Sequence, residues 1–273
     1  MSDYRSNTTP SAWGQSTART SVAVDEGLRA YMLHVYNYMV IGLAITGLAA
    51  LGIYMLSVTA DASAAAKILR NGVEVPARVA ANMYLTSIGY TLFVSPVKWV
   101  VILAPLAMVF GISYGMDRVR PATAQMLFWI FAALIGLSLG SIFLVYTHTS
   151  IVRVFFITAA SFGALSLWGY TTGRDLSGMS SFLIMGLFGV VIASLVNLFM
   201  ASSALQFVIS VVGVLVFAGL TAWDTQRLKT EYLYGGMDGE AAERSAIQGA
   251  LSLYLNFINM FTLLLQLFGQ KSE

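Results

Sequence analysis

The chain has 273 residues, 58% of them hydrophobic and only 10% charged, with a net charge of +2 and no cysteine. Average soluble domains carry about 25% charged residues, so there are too few charges here to cover a soluble surface. The missing cysteines exclude disulfides, thiolate zinc sites and thiol nucleophiles, and the scattered basic residues form no patch for nucleic acid.

Residues 1–24, rich in Ser and Thr with Pro10 and Gly14, contain no apolar core and read as a disordered polar tail, not a signal peptide. The rest, 25–273, reads as one membrane domain. Asp25 to His34 mixes charged and apolar residues, the pattern of a short interfacial lead-in helix. A first span follows from Val35 to about Thr59, then a polar stretch from Asp61 to Arg78 around the turn signal Asn71-Gly72. Residues 79–96 are uncharged but short and are interrupted by Ser95-Pro96, which suggests a re-entrant or interfacial segment before a second span from Val97 to Met116. Five further spans are expected at Ala122–Thr147, Val152–Thr172, Ser180–Met200, Ala204–Trp223 and Ile247–Phe268, with Gln226–Ala246 as a connecting loop. No charge falls within 121–152, 176–223 or 245–270. Segments of about ten residues alternating apolar and polar, the mark of a membrane β-barrel, are absent. The expected fold is therefore an all-α polytopic bundle of seven transmembrane helices.

Basic residues in short loops orient such a bundle. Arg118, Arg120, Arg174, Arg227, Lys229 and Arg244 fall on the N-terminal side, against Lys67, Arg70 and Arg78 on the other, so the N terminus is expected in the cytoplasm. Gly111/Gly115 and Gly136/Gly140 have the GxxxG spacing of close helix contacts. Trp99, Trp168 and Trp223 near span ends suit interfacial anchoring.

Asp224 closes the sixth apolar run, in GLTAWDTQRLK. A carboxylate in hydrocarbon is expensive, so it is either a helix-end acid at the interface or a buried ion-linked or proton-responsive group. In the seventh span Ser252, Asn256, Asn259 and Gln266 share one helical face. Such a stripe either bonds neighbouring helices or lines a hydrated path whose amide oxygens serve a cation. Calcium usually takes six to eight oxygens, so Asp224 and Asn256 alone would be an incomplete metal site. Asn197 reads as an interhelical hydrogen-bonding residue. His34 and His148 stand at opposite membrane borders and make no metal pair. The sequence holds no HExxH, Walker A or GxSxG motif, and no enzyme or resident cofactor is expected.

TAWDTQRLK, Thr221 to Lys229, and ALSLYLNFINMF, Ala250 to Phe261, resemble the Bax inhibitor-1 family, with a looser likeness from Tyr31 to Gly269 that includes GRDLSG at Gly173 to Gly178. The resemblance implies a central helix enclosed by six others, a bacterial inner-membrane location and a pH-modulated calcium leak. It also implies gating by an acidic pair on the last two helices, with Asp224 as the first acid. Asn256 stands where the stronger leak pattern has the second acid. With Asn259 and Ser252 it would form the polar path, with calcium as the permeant ion. An Asp–Asn pair loses the like-charge coupling of two carboxylates, and Asn256 does not titrate. Arg118 and Arg120 are the candidate basic partners on that side. The alternative reading is a noncatalytic modulator of a membrane protease complex such as FtsH, to which some bacterial members are linked. A small-solute transporter ranks behind both.

Overall fold

Long helices in lipid satisfy every backbone group internally, and this chain follows that rule over most of its length. The computed structural model describes residues 12–70, 73–80, 83–115, 119–236 and 239–272. Its helices are α1 (Ala12–Ser57), α2 (Ser87–Phe93), α3 (Val97–Gly115), α4 (Pro121–Leu139), α5 (Ile142–Val145), α6 (His148–Thr171), α7 (Ser177–Met200), α8 (Ser203–Tyr234) and α9 (Gly239–Phe268). Six stretches are long and apolar enough to cross a membrane: Glu26–Ser57, Pro121–Val145, and the whole of α6, α7, α8 and α9. The pair α2–α3, bent by 59°, supplies a seventh when counted as one span. The chain is a polytopic α-helical membrane protein, as its sequence led us to expect.

Helix α9 is the axis. It packs against α1, α4, α6 and α8, while α7 lies outside α8 and α3 outside α4. Sixteen of its residues are buried, from Ser245 to Leu265, and Tyr254, Leu253 and Met260 are almost wholly enclosed. Phe128 and Phe131 of α4 meet the Tyr254 ring edge-on, with centroids 5.4 and 6.0 Å away. The Tyr254 hydroxyl lies 2.6 Å from Thr46 Oγ1 of α1, and Thr46 is itself 2.9 Å from the Ala132 carbonyl of α4. Three helices thus share one polar link inside an aromatic core. Small residues set the α1–α4 approach: a Cβ on Gly136 would come within 2.7 Å of Ala49 Cβ, and one on Gly140 would strike Ile53. Gly111 borders open space, so its half of the other GxxxG pair makes no close contact.

Three sequence expectations change. The lead-in helix expected at 25–34 is not separate, because α1 runs unbroken from Ala12, inside the expected tail, to Ser57; residues 1–11 lie outside the described residues. The polar stretch 61–78 forms the hairpin β2 (Lys67–Arg70) and β3 (Val73–Pro76), with Arg70 paired to Val73; Asn71 and Gly72 lie outside the described residues. Strands β1 (Val58–Thr59), β5 (Met83–Leu85) and β4 (Arg78–Ala80) form a second small sheet in that order. These β-branched and aromatic residues favour strands once the chain has left the bilayer. Within the expected re-entrant or interfacial segment 79–96, Met83–Leu85 is strand and Ser87–Phe93 is α2, whose 59° bend into α3 is that of a re-entrant loop or a broken span; Thr86 caps α2 by accepting from the Gly89 amide. Ser95-Pro96 breaks the helix there, since proline restricts the residue before it and lacks an N–H. Finally, the expected loop 226–246 is mostly helix. At about 1.5 Å per residue, α8 and α9 each exceed a hydrocarbon core of about 30 Å, and their ends, rich in Glu, Ala, Arg and Lys, continue the helices into water.

Candidate functional site

Because α8 runs on to Tyr234, Asp224 is not a helix-end acid. It lies ten residues inside the helix and is only 3% exposed. The facing turns of α9 supply its partners. Asn256 Nδ2 donates to Asp224 Oδ2 at 2.7 Å, and Ser252 Oγ donates to the same oxygen at 2.9 Å. Their spacing of four residues puts both donors on one face of α9. Arg227 Nη2 lies 2.9 Å from Asp224 Oδ1. That contact is an ion pair approaching off the hydrogen-bonding direction, and among the described residues Oδ1 has no aligned donor. A buried carboxylate oxygen held by charge alone is the least satisfied polar atom of the site.

Among the described residues Arg227 supplies the countercharge of Asp224. Arg118 lies outside the described residues, and Arg120 is the exposed residue that begins α4. The signal was available, because residues three apart on a helix are neighbours. The guanidinium also sits 5.1 Å from the centre of the Trp223 ring. On its outer side is a cleft of about 580 Å³ lined by Ser177, Trp223, Gln226, Arg227 and Glu231, among others. Arg227 therefore stands between an open cleft and the enclosed acid.

The rest of TAWDTQRLK ties the neighbouring helices to this point. Thr225 Oγ1 meets Ser166 Oγ of α6 at 2.9 Å, and Ser166 meets the Tyr36 hydroxyl of α1. Gln226 clasps the α6–α7 turn, donating to the Arg174 carbonyl and accepting from the Leu176 amide, both at 2.7 Å. In the same turn Asp175 accepts from the Ser177 amide, which holds its carboxyl below the ordinary value. Lys229 Nζ donates to the Tyr170 carbonyl at 2.9 Å and lies over that ring.

The polar stripe of α9 is divided. Ser252 and Asn256 join Asp224, whereas Asn259 Nδ2 donates to Leu255 of its own helix. Gln266 belongs to a separate cluster at the far end, where its Oε1 accepts from Gln206 Nε2 at 2.6 Å and Ser210 Oγ at 3.0 Å. Asn197 bonds that cluster across helices through Gln206, as its position in the fifth expected span suggested. About 15 Å of helix separates Asn256 from Gln266, and Leu263 fills part of it by packing against Gly213. Among the described residues no three His, Cys, Asp or Glu side chains gather in a metal-binding group.

A helical membrane bundle with an enclosed axis, and with a buried acid on α8 that is bonded to an amide of that axis and paired with an arginine at a cleft, defines a polytopic α-helical membrane protein. The family described as "Inhibitor of apoptosis-promoting Bax1" matches residues 28–273, and the chain belongs to it. It is 40% identical over 258 residues to a protein of Rickettsia prowazekii, covering 94% of this chain and 97% of that one. It is 43% identical over 255 residues to one of Caulobacter vibrioides, covering 93% and 94%. Similarity to the Escherichia coli inner membrane protein YbhL is 39% over 247 residues, covering 90% and 93%.

Proposed function

We propose that the chain is a noncatalytic cation leak of the Bax inhibitor-1 type, with calcium as the permeant ion, in a bacterial inner membrane with its N terminus in the cytoplasm. The name of the relative YbhL, an inner membrane protein, supports the location. The observation that carries the reading is Asp224 Oδ1: a buried carboxylate oxygen facing Arg227, without an aligned donor, one side chain away from an open cleft. Arg227 is the latch. While it faces Asp224, positive charge closes the approach and Ser252 and Asn256 hold the other oxygen. Withdrawal of Arg227 into the cleft bares a negative oxygen to an entering cation. Protonation of Asp224 removes the charge that holds Arg227 and the α9 donors. Passage beyond Asn256 requires the packing around Leu263 to open, and Asn259 is the next polar side chain on that face.

Calcium flux into proteoliposomes across a pH series tests this reading. Wild type should leak with a pH dependence, R227Q should leak faster at neutral pH, and D224N should lose the pH dependence. N256D, with a second carboxylate, should steepen it. Equal background flux in all four would overturn the reading. The rival, a noncatalytic modulator of a membrane protease, draws support from Asn256 in place of a second acid and from the protruding α8–α9 hairpin with its 84% exposed Tyr234. It predicts enrichment of a membrane protease in mild-detergent purifications and altered protease turnover on deletion, without ion movement.

A further inference from the structure

We infer that the groove between α1 and α6 binds an anionic phospholipid from the leaflet on the Arg29 side. Helices α1 and α6 do not pack along their lengths; they meet where Tyr36 bonds Ser166. They leave a lateral groove of about 1310 Å³ floored by Phe257 of α9. A volume that large beside the hydrocarbon fills with something, and its polarity says with what. The polar groups in its lining, Arg29, Tyr36, Ser166 and Tyr170, all lie at one end, and below Tyr36 the walls are apolar to Leu51 and Phe155. From Tyr36 to Leu51 is about 22 Å of helix, enough for an acyl chain of one leaflet about 15 Å deep.

Charge selects the headgroup. Arg29 lines the polar end, and Lys229 reaches the Tyr170 carbonyl on the opposite wall. No acidic side chain lines the groove. The Arg29 guanidinium at the mouth of a one-sided apolar channel, with the Lys229 charge behind the Tyr170 wall, complements a phosphate-bearing anionic amphiphile. The walls are also cut back to admit it. Gly47 on α1 and Gly163 on α6 both line the groove, and a Cβ on either would meet nothing within 4 Å. These glycines bring no backbones together, unlike Gly136. Occupancy would bear on the buried acid, because Ser166 touches both Tyr36 and Thr225, the residue after Asp224. The lipid site itself stands whether or not ions cross the bundle.

Native mass spectrometry of the full chain, with phosphatidylglycerol or phosphatidylcholine added to delipidated protein in mild detergent, tests the proposal. Wild type should retain one phosphatidylglycerol in preference to phosphatidylcholine. G163L and G47L, which add a side chain to the groove wall where a Cβ would meet nothing within 4 Å, should each lose that lipid while keeping the wild-type melting temperature. G189L, placed in open space on α7, should retain it. R29Q should keep a lipid but lose about fivefold of the preference for the anionic one, the effect of about one surface cation. Equal retention by wild type and G163L would overturn the proposal. So would a photocrosslinker at Leu48 that captures a second copy or another protein instead of lipid.

Discussion

Breaking the Asp224–Arg227 pair from its two sides should have unequal consequences, because the partners are unequally buried. The Asp224 side chain is 4% exposed and that of Arg227 is 43% exposed. Removing one partner of a buried pair costs about 3–5 kcal/mol, since a charge is left stranded, whereas an exposed pair contributes about 0–1 kcal/mol. R227Q strands the buried carboxylate, but Ser252 and Asn256 still donate to it, which places the cost near 2 kcal/mol. D224N frees a half-exposed arginine that turns into the cleft and reaches water. Its new carbonyl oxygen still accepts from α9, so the loss is the charge assistance, about 1 kcal/mol. The double variant has no stranded charge and should resemble D224N, which gives a coupling of about 2 kcal/mol. Equilibrium unfolding of the four proteins in a mild detergent measures this cycle. If D224N costs more than R227Q, or if the two effects add, Arg227 is not the countercharge of the buried acid. Should R227Q fail to fold, recovery in the double variant alone decides.

Three further outcomes follow from the packing. T46V strands the enclosed Tyr254 hydroxyl and should cost about 1–3 kcal/mol, whereas Y254F leaves Thr46 bonded to the carbonyls of Gly42 and Ala132 and should cost about 1 kcal/mol or less; the reverse order in unfolding titrations would refute the link. G136A forces a methyl against α1 and should lower stability by about 1–3 kcal/mol, while G111A, in open space, should be neutral or stabilising. Ala201, which ends α7 at φ 48°, occupies a left-handed conformation, so A201G should raise stability by about 1 kcal/mol, read as a higher melting temperature.

The hydrophobic architecture was legible because bilayer thickness imposes a length on every span, and charge-free runs such as 176–223 leave few alternatives. Helix ends were not. Hydropathy marks where the membrane stops, and α8 continues past Trp223 because helix formation and membrane burial are separate requirements. That single difference moved Asp224 from a border to an interior position. That Ser252 and Asn256 share a face was legible from periodicity on α9, and the pairing of Asn256 with Asp224 from the family resemblance, but the separate membership of Gln266 was not, since periodicity gives a face and says nothing about which neighbour covers each level of it. Gln206 and Ser210 of α8 cover one level, Asp224 another. Thr46 gave no signal at all: its role depends on the approach of α1, α4 and α9, which no local pattern encodes.

The Asn256 side chain defines which charge states the latch can visit. Two carboxylates at the 2.7 Å that separates Asn256 Nδ2 from Asp224 Oδ2 would have to share a proton. Losing that proton at high pH would leave the pair doubly negative. An amide N–H in that place donates to Oδ2 permanently, as the shared proton would, and cannot be removed by raising the pH. The site therefore carries at most the single negative charge of Asp224, the charge of the singly protonated pair. A single arginine suffices to balance that charge, which matches the Arg227 guanidinium found there among the described residues. In N256D the same arginine would face up to two negative charges at high pH. The α8–α9 contact would then loosen as pH rises, a dependence that the wild-type amide suppresses, and comparing the unfolding of N256D and wild type across pH would expose it. An identical pH response in the two proteins would mean that Asn256 does not set the charge range of the site.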